Sequence, residues 1–348
     1  MAASDRAGLM AAFLARCGLA DAEPKMIAGD ASFRKYYRLD QPPRVIMDAP
    51  PGLEDVRPFI AIGEYLNAEG FSGPAILGID LEHGFLLLED LGDDTFTRLL
   101  NAGRGPGEPA LYEAAVDCLA ELHRKSCPAS LPVPDSAPYT LPPYDDELLL
   151  KEATLFTDWY YPAALGRDCP PEERQKFVDL WLSVFPLALP QPGTPLGPVL
   201  VLRDYHADNL MWLPERTGSA RVGLLDFQDG VIGHAAYDLV SLLEDARRDV
   251  PPALAERMIA RYIAETSCDE KGLRDTYAVL GAQRNTKIIG IFTRLWKRDG
   301  KAHYLKLIPR VWGLLERDLA HPALSPLAAW FDDHTPKSMR NDVLEALA

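Results

Sequence analysis

The chain has 348 residues, of which 47% are hydrophobic and 25% charged, as in an ordinary folded enzyme. This length predicts two lobes or domains rather than a single core. The net charge of −15 argues against nucleic acid or an anionic membrane as the main partner, because both require a basic surface. The five cysteines are dispersed, and no apolar run is long enough to span a bilayer. We therefore expect a cytoplasmic protein with reduced thiols.

The first ninety residues are rich in strand signals. Residues 1–19 predict an amphipathic helix rather than a signal peptide. Aromatic and apolar runs predict strands over 32–39, 45–47 and 84–88, with a helix over 59–69 between the second and the third. This composition predicts a sheet with at least one helix in the N-terminal part.

Helical patterns dominate the remainder of the chain. The predicted helices cover residues 109–125, 146–161, 172–189, 252–266 and 271–298. Short apolar runs at 199–202, 210–213 and 222–225 predict three strands among them. The sequence therefore predicts an α+β fold, with a sheet-rich part over residues 1–90 and a mainly helical part over 91–348.

Three polar residues follow these apolar runs. Asp204 comes after the first run, Asn209 lies five residues later, and Asp226 follows the third run. Phosphoryl transfer needs a carboxylate that takes the acceptor proton, and carboxylate and amide oxygens that hold Mg²⁺. A D-x-x-x-x-N pattern alone could be a loop in which Asn caps a turn. The flanking strands and Asp226 favour phosphoryl transfer.

Residues 202–210 and 226–228 resemble the catalytic loop and the metal-binding turn of the aminoglycoside phosphotransferase superfamily. This resemblance implies a protein-kinase-like two-lobed fold, with an antiparallel-sheet N-lobe and a mainly helical C-lobe. It also implies that Asp204 is the catalytic base and that Asn209 and Asp226 bind Mg²⁺. Asp238 is expected to support the catalytic loop by hydrogen bonds.

The same resemblance implies ATP as co-substrate and a hinge over 85–91 that receives adenine through its backbone, at Glu89 and Leu91. Kinases place a phosphate-binding lysine on the strand that corresponds to residues 45–48, and this chain has none there. We expect the segment Ser32, Phe33 and Arg34 to bind the nucleotide instead, with Ser32 and Arg34 at the phosphates.

A closer resemblance, to the bacterial anomeric kinases of N-acetylmuramate and N-acetylglucosamine, extends in order over nearly the whole chain. It is carried by residues 30–38, 47–51, 85–92, 225–229 and 287–301. The resemblance implies that a small amino sugar is phosphorylated at its C1 hydroxyl in peptidoglycan recycling, and it implies no protein partner. Two rivals stay open. One is a kinase for another acceptor, such as an aminoglycoside or an amino alcohol. The other, motivated by the missing lysine, is a nucleotide-binding pseudokinase.

The segment 283–310 is basic, whereas the chain as a whole is acidic. Helical spacing places Arg284 and Lys287 on one face of a predicted helix. This face is either a solvated basic surface or an anion-binding wall for the lactyl carboxylate of N-acetylmuramate, and such a wall disfavours a polycationic aminoglycoside. Trp159 is a further candidate for the acceptor, by stacking on a sugar ring. The aromatic run 156–160 that contains it could equally belong to the core.

Overall fold

The computed structural model describes the backbone of residues 3–29, 33–191, 193–194 and 197–347. Ser32, predicted to contact phosphates, lies outside the described residues. The strands are β1 (Lys25–Gly29), β2 (Lys35–Leu39), β3 (Arg44–Asp48), β4 (Ile76–Asp80), β5 (Phe85–Glu89), β6 (Ser130–Leu131), β7 (Tyr139–Thr140), β8 (Val199–Val201), β9 (Leu210–Trp212), β10 (Val222–Leu224) and β11 (Val231–Gly233). Each run that predicted a strand overlaps one of these strands.

Each predicted helical segment overlaps an α-helix, and the structure adds helices that the sequence did not predict. The α-helices are α1 (Ala3–Arg16), α2 (Arg57–Ala68), α3 (Phe96–Asn101), α4 (Glu108–His123), α5 (Asp146–Ala153), α6 (Tyr161–Leu165), α7 (Pro171–Val184), α8 (Ala236–Leu243), α9 (Pro252–Thr266), α10 (Glu270–Asp299), α11 (Ile308–Leu319) and α12 (Ser325–His334). Within the described ranges, none of the helices combines the length and the apolar character that a membrane crossing requires.

The predicted helix over 146–161 is divided into α5, a π-helical stretch at Phe156–Tyr160, and the start of α6. The division occurs where α10 passes in backbone contact. A Cβ added to Gly290 would lie 2.4 Å from the carbonyl carbon of Leu155. The sequence around residue 155 does not indicate this contact, because Gly290 belongs to a helix that is distant in the chain.

The chain forms two compact units, residues 1–141 with 207–230, and residues 142–206 with 231–348. This division differs from the predicted boundary at residue 90. The hairpin of β9 and β10 joins the first unit, because isolated bridges connect Ser72 with Gly223 and Thr95 with Met211. A lobe boundary at residue 90 stays a prediction.

The first unit contains a five-stranded antiparallel sheet in the order β1-β2-β3-β5-β4. One face of this sheet is covered by α1, whose Met10, Phe13 and Leu14 form a core cluster with residues of the strands, among them Leu39 and Ile46. Alternation along the strands places Tyr36, Arg38, Val45 and Met47 on the opposite face.

The second unit is built around α10, a helix of 30 residues. Most of its length is buried, which is unusual for a helix with so many polar residues and requires internal partners for them. An aromatic cluster that includes Phe156, Tyr160, Trp312 and Phe331 fills the core beside it. The core interpretation of the aromatic run at 156–160 is thereby confirmed for Phe156 and Tyr160. The fold as a whole is α+β, as predicted.

Candidate active site

The part of the candidate catalytic loop that lies in the second unit begins where β8 ends. Arg203 has a φ of +70°, and the N–H of Asp204 donates a hydrogen bond to the C=O of Leu202 at 2.9 Å. An i to i+2 hydrogen bond around a positive φ is a γ-turn of the rare, strained kind. This turn sets the direction in which the chain carries Asp204.

Asp238 stabilises this turn from the first turn of α8. Its fully buried carboxylate accepts hydrogen bonds from the backbone N–H of Leu202 at 2.7 Å and of Arg203 at 2.8 Å. Hydrogen bonds from two backbone donors compensate the cost of burying a charge. These are the contacts that the predicted role of Asp238 in supporting the loop requires.

Asp204 lies among cations. Partial loss of hydration raises the pKa of its carboxyl, but positive charges outweigh this effect and the pKa is lowered overall. The groups that lower it are, in decreasing order, Lys287, His206, Arg284 and Arg203. The lowered pKa means that the Asp204 carboxylate is ionised at neutral pH. The residue is also exposed at the surface.

The predicted metal ligands lie in the first unit, at one end of the hairpin formed by β9 and β10. Asn209 precedes β9, and its C=O accepts a hydrogen bond from the N–H of Leu225 at 3.0 Å, just after β10. Asp226 follows directly, with a φ of +57°. The hairpin therefore places Asn209 and Asp226 at the same end.

The turn at Asp226 is anchored by the two residues that follow it. Phe227 is fully buried, and its ring lies 4.8 Å from that of Phe59 in α2. Gln228 donates a hydrogen bond from Nε2 to Oδ1 of Asp226 at 2.8 Å. A non-glycine residue with positive φ is strained, so it persists only where such contacts fix the chain.

This arrangement fits Mg²⁺. The carboxylate of Asp226 and the amide oxygen of Asn209 are hard oxygen donors, which Mg²⁺ prefers over nitrogen or sulfur. Among the described residues, no group of three or more His, Cys, Asp or Glu side chains could hold a metal ion. Mg²⁺ commonly completes its coordination with water and substrate phosphates, so one carboxylate and one amide are sufficient protein ligands.

Arg34 is the cation that the structure places beside this turn. It lies immediately before β2, its side chain is 10% exposed, and its guanidinium is 3.5 Å from the Asp226 carboxylate. Continued strand alternation puts it on the face of Tyr36 and Arg38, which is opposite the face that α1 covers. Arg34 therefore supplies positive charge next to the candidate metal ligand.

β3, the strand on which this chain has no lysine, ends in an ion pair. Asp48, at the end of β3, forms an ion pair with Arg6 of α1, and Arg6 also donates to the C=O of His83 at 2.7 Å. The guanidinium of Arg6 lies 4.2 Å from the centre of the Phe85 ring. Asp48 thus fastens α1 to the sheet.

The other predicted nucleotide-binding residues lie in the same unit. The backbone N–H of the exposed Phe33 donates to the Glu54 carboxylate at 2.9 Å. Glu89 ends β5, where its carboxylate pairs with Arg216, and Leu91 lies beside Gly223 of β10. Their binding of adenine or phosphates stays a prediction.

The predicted acceptor residues have contrasting environments in the second unit. Arg284 is 4% exposed and donates to Oγ of Ser241 at 2.9 Å and to the C=O of Glu244 at 3.4 Å. The interpretation as a solvated face is therefore wrong for Arg284. Lys287 is ion-paired with Glu152 at 2.8 Å, and Trp159 is half-buried. Contact of these three residues with an acceptor stays a prediction.

The sequence did not single out Glu152, which contacts several residues of this region. A single glutamate in a helix with an ordinary charge pattern carries no signal of its own. Its partners Arg203 and Lys287 are distant in the chain, so the cluster is visible only after folding.

Comparison with known proteins defines the class to which this fold and site belong. Residues 24–274 match the phosphotransferase enzyme family. This match extends over more than half of the chain and includes Asp204, Asn209 and Asp226. The chain belongs to the phosphotransferase enzyme family.

A more specific similarity extends over almost the whole chain. An N-acetylmuramate/N-acetylglucosamine kinase of Caulobacter vibrioides is 38% identical over 97% of this chain and 99% of its own length. The similarity therefore includes both compact units and is not limited to the catalytic loop.

Solved structures support the protein-kinase-like fold. A putative aminoglycoside phosphotransferase from Ralstonia eutropha aligns with a TM-score of 0.61 at 16% identity, covering 90% of this chain and 96% of its own. An aminoglycoside phosphotransferase in a ternary complex with streptomycin and ATP aligns with a TM-score of 0.52 at 15% identity, covering 84% and 91%. At such low identities these similarities establish the fold alone.

Proposed function

We propose that this protein is a magnesium-dependent kinase that transfers the γ-phosphoryl group of ATP to the C1 hydroxyl of N-acetylmuramate and N-acetylglucosamine. The observation that carries the proposal is the 38% identity, over nearly the full length of both chains, to a kinase named for these two sugars. A role in peptidoglycan recycling, and in the cytoplasm, is part of the same proposal.

In this proposal Asp204 is the base. Its ionised carboxylate accepts a hydrogen bond from the sugar hydroxyl and takes its proton as the oxygen attacks the γ-phosphorus. The bond between the γ-phosphorus and the bridging oxygen breaks, and ADP leaves with that bonding pair. An anomeric hydroxyl is more acidic than an ordinary alcohol, so a base with a lowered pKa is adequate.

Asn209 and Asp226 would hold Mg²⁺, which when bound neutralises charge on the phosphates. Arg34 would take the place of the missing lysine and donate to the β- or γ-phosphate. Support comes from its low exposure and its position 3.5 Å from Asp226, because a preorganised cation in a partly buried site binds phosphate strongly. The backbone at Glu89 and Leu91 would receive adenine.

We propose that Lys287 binds the acceptor and that the sugar ring stacks on Trp159. Arg284 would support the acceptor site from a buried position. Lys287 keeps 12% of its side chain exposed, whereas the guanidinium hydrogen bonds of Arg284 point to protein groups. A lactyl carboxylate would then pair with Lys287. Only N-acetylmuramate carries this group.

One experiment tests the proposal against its rivals. The protein is incubated with ATP and Mg²⁺ and with N-acetylmuramate, N-acetylglucosamine, choline or an aminoglycoside, and the new phosphate is located by ³¹P and ¹³C NMR. We expect a phosphate on C1 of both amino sugars. Phosphorylation of choline or the antibiotic alone would favour another acceptor. Nucleotide binding without transfer to any acceptor would favour the pseudokinase.

A further inference from the structure

A buried carboxylate that the proposed mechanism does not use, Glu152, lies at the last turn of α5. It is 6% exposed. Its Oε2 accepts a hydrogen bond from the Tyr144 hydroxyl at 2.5 Å, and Oε1 is ion-paired with Arg203 and with Nζ of Lys287, the latter at 2.8 Å. Nε2 of Gln283 approaches Oε2 at 3.3 Å. Protein groups therefore surround both carboxylate oxygens.

Burial of these charges is expensive, and the cluster is not an obvious way to gain stability. Replacing a buried ionic cluster by packed apolar residues is often neutral or stabilising. Even so, opposite charges keep Glu152 ionised here. Burial would raise the pKa of its carboxyl, but Lys287 and Arg203 lower it overall. A charge retained at such cost calls for a role beyond packing.

The strained residue of the catalytic loop is a partner of this carboxylate. The positive φ of Arg203 is strained, so surrounding contacts must impose it. Two kinds of contact do so. Asp238 holds the backbone N–H, and Glu152 holds the side chain, whose guanidinium lies 5.8 Å from the centre of the Tyr144 ring.

We infer that Glu152 is a positioning residue for Asp204, acting through the side chain of Arg203 and the γ-turn that precedes Asp204. This inference rests on the proposed role of Asp204 as the base.

The test is the effect of Glu152→Gln on kcat and KM, measured on the full chain with ATP, Mg²⁺ and N-acetylglucosamine. We expect kcat to fall about 10- to 100-fold, the loss typical of a small misplacement of a reacting group. KM for ATP and for the sugar should change less than about threefold, because no substrate contact is removed. The matched control is Glu256→Gln, since Glu256 is an exposed glutamate paired with Arg274 at 3.1 Å. It should behave as wild type.

A double-mutant cycle separates positioning from a general structural effect. If Glu152 acts through Asp204, Glu152→Gln should lower the residual kcat of the Asp204→Asn variant less than about twofold. An equal fractional loss in both backgrounds would overturn the inference. A kcat of Glu152→Gln equal to that of Glu256→Gln would also overturn it.

Tyr144→Phe keeps the inference testable if Glu152→Gln does not fold. This variant removes one hydrogen bond to Glu152 and keeps every charge. A kcat lowered about two- to tenfold at unchanged KM is expected, and an unchanged kcat would refute the inference. The proposed role of Asp204 is tested separately. Near-wild-type turnover of Asp204→Asn would exclude Asp204 as the base, whatever the effect of Glu152→Gln.

Discussion

Arg34 is the residue whose replacement tests most directly how this chain binds ATP without the usual lysine. Its side chain is 10% exposed and its guanidinium lies 3.5 Å from the Asp226 carboxylate, so water cannot readily replace it. A charge-assisted hydrogen bond to phosphate contributes about 1.5–3 kcal/mol. Arg34→Met should therefore weaken ATP binding about ten- to hundredfold. Arg34→Lys should weaken it less, because the charge remains.

Isothermal titration calorimetry with ATP in saturating Mg²⁺ measures this effect, and titration with Mg²⁺ alone supplies a contrast. Affinity for Mg²⁺ alone should not fall, because Arg34→Met removes a cation from beside Asp226. The matched control is Lys35→Met, which removes the neighbouring charge from an exposed side chain. Equal ATP affinities for Arg34→Met and Lys35→Met would refute the assignment of Arg34 to the phosphates.

Four further outcomes are expected. Asp204→Asn should keep its nucleotide affinity, and its turnover should fall about 10²–10⁴-fold. Wild-type turnover in this variant would exclude Asp204 as the base. Asp226→Asn should lower activity at limiting Mg²⁺ and recover partly at high Mg²⁺; full activity at limiting Mg²⁺ would contradict its role as a ligand. Lys287→Ala should reduce kcat/KM for N-acetylmuramate about ten- to hundredfold more than for N-acetylglucosamine, whereas an unchanged ratio would exclude a carboxylate contact. Burial and the neighbouring charge of Glu244 raise the pKa of Asp318 well above its usual value, so its ionisation opposes folding as the pH rises from about 4 through the raised pKa. The free energy of unfolding, measured with urea, should therefore fall less between pH 5 and pH 8 for Asp318→Asn than for wild type. An identical fall in both proteins would contradict this reasoning.

The division into units and the interrupted helix show where local patterns stop being informative. Periodicity identified α9 over its full range and α10 to within one residue at each end, although α10 carries many polar residues. The edge strand β4 was missed, since Gly78 weakens its pattern. That glycine is required by packing, as an added Cβ would lie 2.9 Å from Sγ of Cys17. The predicted boundary at residue 90 rests on composition. Composition does not indicate long-range strand bridges such as those that join the β9–β10 hairpin to the first unit.

The sequence by itself was sufficient for the fold class, the phosphotransferase family and the candidate trio Asp204, Asn209 and Asp226. These residues lie at strand ends within one short stretch, so spacing along the chain carries the information. Tertiary structure alone decided the partners of the predicted cations. Arg284 and Lys287 share a predicted face, yet one is held by Ser241 and the other by Glu152. The Glu152–Arg203 pair spans 51 residues, and such contacts depend on how helices pack, which a local pattern does not encode.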